Sequence, residues 1–129
     1  MSGGGRIYEG FVPGRHLIDA YGNGGFRFAE MSHRGSILML PSGVLAWPVT
    51  SMADVTRESL APIFEQGPEL ELLLFGTGLD IAAFPETWRA RFRAAGIGLD
   101  VMQTGAAART YNILLAENRK VGAALIAVP

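Results

Sequence analysis

The sequence predicts an α/β fold: a three-layer single domain with a central mixed, largely parallel sheet, N-terminal β-hairpins and covering helices. One observation is the continuous apolar run Leu72–Phe75, which is typical of a strand covered on both faces, as in parallel sheets. The other is that strand-like and helix-like segments alternate from this run to the end of the chain. Together they predict a sheet with helices packed against it.

The first part of the chain predicts a flexible lead and a hairpin. Residues 1–6 are rich in glycine and are expected to be flexible, because they cannot contribute to a packed core. His16–Tyr21 suits a short strand, and Gly22–Gly25 suits a tight turn after it. Phe26–Phe28 alternates apolar and polar residues, as a half-buried strand does. These two strands are expected to pair.

A second hairpin is predicted next. Ser36–Leu40 is an apolar run of strand length, Pro41–Gly43 is a turn sequence, and Val44–Trp47 suits the returning strand. Pro48 is expected to end that strand, since proline has no N–H group to donate to a neighbouring strand.

A short helix is expected before residue 67, and its start is open between two caps. Thr56 suits the N-cap position, but the helix would then contain Pro62, at a cost of about 3 kcal/mol. With Ser59 as the cap, Pro62 falls in the first turn, where proline is tolerated. Either way Gly67-Pro68 ends the helix. Its apolar stripe is Leu60, Ile63 and Phe64.

The second half of the chain predicts three strands separated by two helices. The strands are Leu70–Phe75, Leu99–Met102 and Ala123–Val128. One helix begins near Pro85, and Gly96 ends it. The other runs from Gly105 to about Asn118 with Thr104 as its cap. The apolar faces of these helices are Trp88, Phe92 and Ala95, and Ala107, Tyr111, Leu114 and Leu115.

Composition narrows the class of protein. The 129 residues suit one domain spanning residues 1–129, and a net charge of −1 gives no reason to expect a nucleic acid partner. The absence of cysteine excludes disulfides, thiolate metal sites and a cysteine nucleophile. No apolar run approaches the ~20 residues of a membrane helix. A cytoplasmic protein is expected, with any membrane association peripheral and made through a partner.

The candidate site lies at one rim of the predicted sheet. Ligands of open α/β sheets bind beyond the carboxyl ends of the strands, where two glycine-bearing bends are expected to meet. They are Gly76-Thr77-Gly78 and Gln103-Thr104-Gly105. The second bend opens a helix, whose free N–H groups and dipole favour an anion. The candidate ligand-binding or partner-binding residues are Gly76, Thr77, Gly78, Thr104, Gly105, Arg109 and Asn112.

Two of these residues also have structural interpretations. Arg109 stands near the positive end of its helix, where a bound anion or an acidic partner residue would compensate its charge. The other interpretation, which we favour, is that Arg109 is solvated or paired with a carboxylate of the fold. Asn112 lies off the apolar stripe and either hydrogen-bonds to the Gly76–Gly78 bend or is exposed.

No catalytic or cofactor motif is complete. Gly76-x-Gly78 begins a dinucleotide-binding pattern, but Ile81 stands where the third glycine belongs and the helix starts late. The two histidines, His16 and His33, lack metal-ligand spacing. There is no Gly-x-Ser-x-Gly elbow and no phosphate loop. The sequence predicts no metal, no cofactor and no catalytic residue.

Short motifs lie along nearly the whole chain. They include Met102-x-Thr104-x-Ala106-x-x-Arg109-Thr110-Tyr111-Asn112-x-Leu114, Tyr21-x-x-Gly24-Gly25-Phe26-x-Phe28, His33-Arg34-Gly35-Ser36-Ile37-Leu38 and Leu74-x-Gly76-Thr77-Gly78. In these motifs the chain resembles a small α/β family that includes the mitochondrial respiratory complex I assembly factor three. The resemblance implies a three-layer domain and, for the mitochondrial members, a role in building the membrane NADH dehydrogenase. It implies no established catalytic residue.

We therefore expect a non-enzymatic protein of largely unknown function that acts through protein–protein interaction. Its expected partners are subunits or assembly factors of a respiratory complex. The alternative is an anion- or nucleotide-binding protein, or an unassigned enzyme, that uses Gly76-Thr77-Gly78 and Thr104-Gly105. An exposed apolar patch would favour the first hypothesis, because such patches mark interaction sites. A filled region between the two bends would count against the second.

Overall fold

The computed structural model describes residues 10–129, so the flexible lead expected at residues 1–6 lies outside the described residues. Nine strands lie within residues 10–129. They are β1 Phe11–Pro13, β2 Ala20–Gly22, β3 Gly25–Phe28, β4 Met31–Arg34, β5 Ser36–Leu40, β6 Gly43–Trp47, β7 Leu72–Gly76, β8 Gly98–Met102 and β9 Val121–Leu125. Six of them form one sheet in the order β1-β6-β5-β9-β7-β8.

Strand pairing in the six-stranded sheet is mixed, which confirms the predicted α/β class. β7 pairs in parallel with both β8 and β9. β5 pairs antiparallel with β6 and β9, and β1 pairs antiparallel with β6. The parallel part is therefore confined to β8, β7 and β9, because the predicted second hairpin, β5–β6, extends the same sheet beside β9.

The remaining strands, β2, β3 and β4, form a separate antiparallel sheet, called the small sheet below. The predicted first hairpin is confirmed as β2–β3, with Asn23 and Gly24 at positive φ in its turn. The strand expected at His16–Tyr21 is wrong over most of its length, because residues 14–19 have no regular structure. β1 and β4 were not predicted.

Three α-helices lie within residues 10–129: α1 Arg57–Glu65, α2 Glu86–Ala94 and α3 Thr104–Ala116. The Thr56 hydroxyl accepts from the Ser59 N–H at 3.1 Å, and the Ser59 hydroxyl accepts from the Thr56 N–H at 2.9 Å. Thr56 is therefore the cap, and Pro62 lies inside α1. The full burial of Leu60 and Ile63 offsets the cost of this proline.

The other two helix starts differ from prediction by one residue. Pro85 is the N-cap of α2. Thr104 is the first residue of α3, and Gln103 precedes it as the N-cap, because the Thr104 hydroxyl bonds to groups outside the helix. Most of the predicted apolar faces are confirmed by burial, as for Phe92 and Tyr111, but Ala95 is exposed.

Both faces of the six-stranded sheet are covered. On one face, side chains such as Leu38, Leu73 and Phe75 pack with residues of α1 and α2. On the other face, their sequence neighbours, such as Met39 and Leu74, pack with α3 and the small sheet. Because successive side chains of a strand point to opposite faces, double coverage explains the continuous apolar runs. Within residues 10–129, no helix has both the length and the apolar composition needed to cross a bilayer.

Candidate functional site

The two glycine-bearing bends lie side by side at the carboxyl rim of the parallel strands. The Thr77 N–H donates to the Met102 carbonyl at 2.9 Å, and the Thr104 N–H donates to the Gly78 carbonyl at 2.9 Å. β7 and β8 thus stay paired as they leave the sheet. The structure brings five of the seven candidate site residues together here: Gly76, Thr77, Gly78, Thr104 and Gly105.

The Thr104 hydroxyl connects the two bends to a third segment. Thr104 is fully buried. Its Oγ1 donates to the Ile126 carbonyl at 2.7 Å and accepts from the Gly78 N–H at 3.0 Å. Since a hydroxyl has one proton to donate, the fold uses the donor that a ligand at this position would need.

The glycines of the bends allow close packing within the fold. A Cβ at Gly76 would lie 2.9 Å from the Thr104 Cα and 3.0 Å from Cδ2 of Leu125. A Cβ at Gly105 would overlap the hydroxyl of Tyr21, which therefore lies against the first turn of α3. The region between the bends is filled by the protein's own atoms.

Arg109 lies beside the bends and faces this tyrosine. Arg109 is exposed, and its Nη1 donates to the Tyr21 hydroxyl at 3.2 Å. The partner is thus a neutral phenol, where one prediction expected a carboxylate of the fold. Arg109 and Asn112 line a concavity of about 370 Å³ whose opposite wall includes Asp19 and Tyr21. The Gly76–Gly78 bend is not part of that concavity.

Asn112 is directed away from the bends. Its Oδ1 accepts from the Ile18 N–H at 2.8 Å, and its Nδ2 donates to the Ile18 carbonyl at 2.7 Å. The expected hydrogen bond to the Gly76–Gly78 bend is therefore wrong, because the amide pairs with a backbone segment instead. Tyr111 donates to the His16 carbonyl at 3.3 Å. Both residues attach residues 14–19 to α3.

Residues 78–82 form a loop that the Thr77 side chain holds in place. The Thr77 hydroxyl donates to the Asp80 carbonyl at 2.7 Å and accepts from the Ala82 N–H at 3.2 Å. Leu79 and Ile81 project from this loop and are 62% and 68% exposed. We call these two side chains the rim pair. A fixed loop that presents two aliphatic side chains to solvent suits an interaction surface.

The threonine side chains of the two bends make hydrogen bonds within the fold. The hydroxyls of Thr77 and Thr104 are both bonded to main-chain groups, whereas a nucleophile needs a neighbouring base. Within residues 10–129, no group of three or more His, Cys, Asp and Glu residues is placed to hold a metal ion.

Tyr111 gives a prediction for the alkaline range. Burial raises the pKa of its phenol to about 12, and the charge of Arg15 opposes this shift. The stability that the neutral phenol contributes is complete below pH ~10 and is lost as pH rises through about 12, because the unfolded chain ionises first. Titration of tyrosinate absorbance should show one late step that Tyr111→Phe removes. Ionisation of Tyr111 near its ordinary pKa in the folded protein would contradict its burial.

Sequence reasoning missed three residues of this rim. Tyr21 was predicted only as the end of a strand and as part of a motif, and its position against Gly105 depends on contacts between distant parts of the chain. Leu79 was not discussed, and Ile81 was noted only as the residue at the third glycine position of the dinucleotide-binding pattern. Apolar residues between Gly78 and a helix start, without strand or helix periodicity, are nevertheless a usable signal of an exposed loop.

Several known proteins are similar to the chain. Residues 18–126 match a family model described as protein of unknown function (DUF498/DUF598). The chain is 40% identical to an uncharacterized protein of Rhodobacter capsulatus, over 95% of this chain and 90% of that one. It is 34% identical to NADH dehydrogenase (ubiquinone) 1 alpha subcomplex assembly factor 3 of Mus musculus, over 95% of this chain. For the Homo sapiens protein of that name the identity is 33% over 87%. The chain spans 66% and 61% of these two relatives.

Solved structures share the fold. A protein from Bartonella henselae, described as an outer membrane protein, is 50% identical, with a TM-score of 0.87 over 91% of this chain and 98% of that one. A protein from Rhodopseudomonas palustris is 46% identical, with a TM-score of 0.81 over 96% and 91%. A Mth938-like domain from Bordetella pertussis is 30% identical, with a TM-score of 0.73 over 93% and 90%.

Proposed function

This chain belongs to the family of proteins of unknown function DUF498/DUF598, and on that premise we propose that it is a non-enzymatic assembly factor for a respiratory NADH dehydrogenase. In this proposal it is a single-domain cytoplasmic protein that binds subunits or other assembly factors of that complex. Any membrane association is made through those partners. The relatives named as assembly factor 3 of the NADH dehydrogenase support the proposal.

The structural observation that carries the proposal is the rim pair. Leu79 and Ile81 expose most of their aliphatic surface on a loop that is fixed by hydrogen bonds to Thr77. Burying apolar surface against a partner contributes about 25 cal/mol per Å². Because the loop is already ordered, little conformational entropy would be lost when a partner binds.

Binding of an anion or nucleotide between the bends is not favoured, and neither is an enzyme site there. The Thr104 hydroxyl is already bonded, and Thr104 Cα would be in close contact with any atom added at Gly76. Tyr21 lies against the first turn of α3, where an anion would bind. A ligand would have to displace it.

The double variant Leu79→Ser/Ile81→Ser is expected to weaken partner binding and to leave the fold intact. Since both side chains are exposed, the free energy of unfolding should change by less than ~0.5 kcal/mol, measured by urea unfolding. In a strain lacking the native gene, this variant should restore less assembled NADH dehydrogenase than the wild type. Ile113→Ser is the matched control, because Ile113 is 59% exposed on α3.

Deletion of the gene in the native host tests the proposal itself. The amount of assembled NADH dehydrogenase on native gels and the NADH oxidation activity of membranes should both fall, and the wild-type gene should restore them. Normal amounts and normal activity in the deletion strain would overturn the proposal. If the Leu79→Ser/Ile81→Ser variant restored assembly fully, the rim pair would not be the partner-binding surface, but the proposed assembly role would stand.

A further inference from the structure

The outer face of the small sheet is a second exposed surface at the same rim. Register and alternation place Ala20, Arg27 and Ser32 in one row of that face, and Gly22, Gly25 and Arg34 in the next row. The opposite face carries Phe26 and Phe28, which are buried in the core. The small residues Ala20, Gly22, Gly25 and Ser32 therefore form a shallow surface, called the floor below, beside the long side chains of Arg27 and Arg34.

This floor is part of a concavity of about 420 Å³. Glycine is required at position 25, where β3 and β4 approach closely, since a Cβ there would overlap the His33 carbonyl of the neighbouring strand. Within the described chain, the residues that line the concavity include two arginines and no aspartate or glutamate. The concavity is thus a locally basic surface on a protein whose net charge is −1.

The two guanidinium groups are placed to act together. Arg27 and Arg34 are diagonal neighbours across β3 and β4, because Arg27 pairs with Ser32 and Gly25 pairs with Arg34. Such neighbours are about 7–8 Å apart, within reach of long side chains. Arg27 Nη1 is held by the Ser32 hydroxyl at 2.9 Å. Within residues 10–129, the structure gives the guanidinium of Arg34 no hydrogen-bond partner, so its N–H donors are open to a ligand.

We propose that the concavity between Arg27 and Arg34 binds carboxylates of an acidic segment of the protein partner. Arginine recognises carboxylates through paired N–H donors. The concavity has room for several peptide side chains and lies on an open sheet face. A phosphate site, by contrast, typically draws on the N–H groups of a helix start or a nest. The near-neutral protein also lacks the overall basic charge typical of nucleic-acid binding.

The basic concavity and the rim pair are attached to one segment, which allows a single partner to contact both. The Gly24 N–H donates to the Val128 carbonyl at 2.8 Å, and the Ile126 N–H donates to the Gly76 carbonyl at 3.0 Å. Residues 126–128 therefore connect the turn of the small sheet to the bend that precedes Leu79. This inference rests on the proposed function, because it names the chemistry of the partner's contact.

The test is a titration of the full-length, isotopically labelled protein with a blocked hexaglutamate peptide, followed by NMR. We expect shifts at the Arg27 and Arg34 side chains and at the Gly22 and Gly25 amides, with binding weakened by added salt. Hexaglutamine should not bind. Arg27→Gln/Arg34→Gln should weaken binding about tenfold or more, whereas Arg57→Gln/Lys120→Gln, which removes the same charge elsewhere, should not. If the double variant does not fold, Arg34→Gln alone is used, since the Arg34 side chain is exposed and has no hydrogen bond in the described chain.

Several outcomes would overturn the inference. One is no binding of hexaglutamate. Another is equal binding to the wild type and the Arg27→Gln/Arg34→Gln variant. A third is selective response of these resonances to inorganic phosphate, single-stranded DNA or vesicles containing phosphatidylglycerol, with none to the peptide. Because this measurement uses purified protein, its failure is distinct from failure of the gene-deletion experiment, which tests the assembly role.

Discussion

Replacing Thr104 with valine is expected to lower the free energy of unfolding by about 2–4 kcal/mol. Valine has nearly the shape of threonine, so the effect isolates the hydroxyl. Without it, the Ile126 carbonyl loses a donor at 2.7 Å and the Gly78 N–H loses an acceptor at 3.0 Å. Both bonds are buried, and each group left without a partner costs about 1–3 kcal/mol. Urea unfolding monitored by tryptophan fluorescence would measure the change.

Two further variants identify the cause of that loss. Thr104→Ser keeps both hydrogen bonds and should cost about 1 kcal/mol, the value of one buried methyl group. Thr110→Val is the matched control on the same helix, because the one hydrogen bond of the Thr110 hydroxyl in the described chain is a weak one to the Met102 sulfur, at 3.8 Å. It should cost less than ~0.5 kcal/mol. Equal stability of Thr104→Val and Thr110→Val would mean that the two hydrogen bonds of the Thr104 hydroxyl contribute little to the free energy of unfolding.

The strands with continuous apolar sequence were the predictable part of the fold. β5 was predicted with the bounds that the structure shows, and β6 and β7 within two residues. A strand covered on both faces needs an apolar residue at every position, and Ser36–Leu40 meets this condition nearly throughout. Local sequence is sufficient there, because burial of each side chain depends little on which neighbour covers it.

Strands β1 and β4 and residues 14–19 were not predictable in this way. β1 contains only three residues. In β4 the buried position is occupied by a histidine between two exposed polar residues, so the strand has no apolar run or apolar alternation. Residues 14–19 depend on α3, since Asn112 bonds to Ile18 from 94 positions away in the chain. A polar side chain in a predicted helix does not show which distant backbone segment it will bind. Sequence alone left Asn112 with two interpretations, and the structure supports a third.

The candidate site shows the same division. The adjacency of the two bends follows from a rule about the carboxyl ends of parallel strands, so it could be inferred. The position of Tyr21 against α3 could not, because its partner Arg109 lies 88 positions away. Exposure of Leu79 and Ile81 depends on the bonds that Thr77 makes to residues 80 and 82. Glycine and threonine at a bend are compatible with ligand binding and with tight packing alike.

Two glycine-to-alanine variants, one in each bend, are expected to differ in stability. The new Cβ at position 76 would contact backbone, whereas the new Cβ at position 105 would contact a side chain that can move. Gly76→Ala is expected to cost about 3 kcal/mol or more, because the new Cβ would lie 2.9 Å from the Thr104 Cα. Neither backbone can retreat easily, since the Gly76 carbonyl accepts from Ile126 and the Thr104 N–H donates to Gly78. Urea unfolding of both variants measures the difference.

In Gly105→Ala, the three atoms nearest to the new Cβ all belong to the side chain of Tyr21, a residue that is 41% exposed and can rotate its ring into solvent. Alanine also favours the helix over glycine by about 1 kcal/mol. The free energy of unfolding of Gly105→Ala should therefore stay within ~1 kcal/mol of the wild type, while the NMR signal of the Arg109 guanidinium shifts because its bond to Tyr21 is lost. A similar loss of stability in both variants would show that Tyr21 is held as rigidly as the backbone. In that case the first turn of α3 would be closed to any ligand.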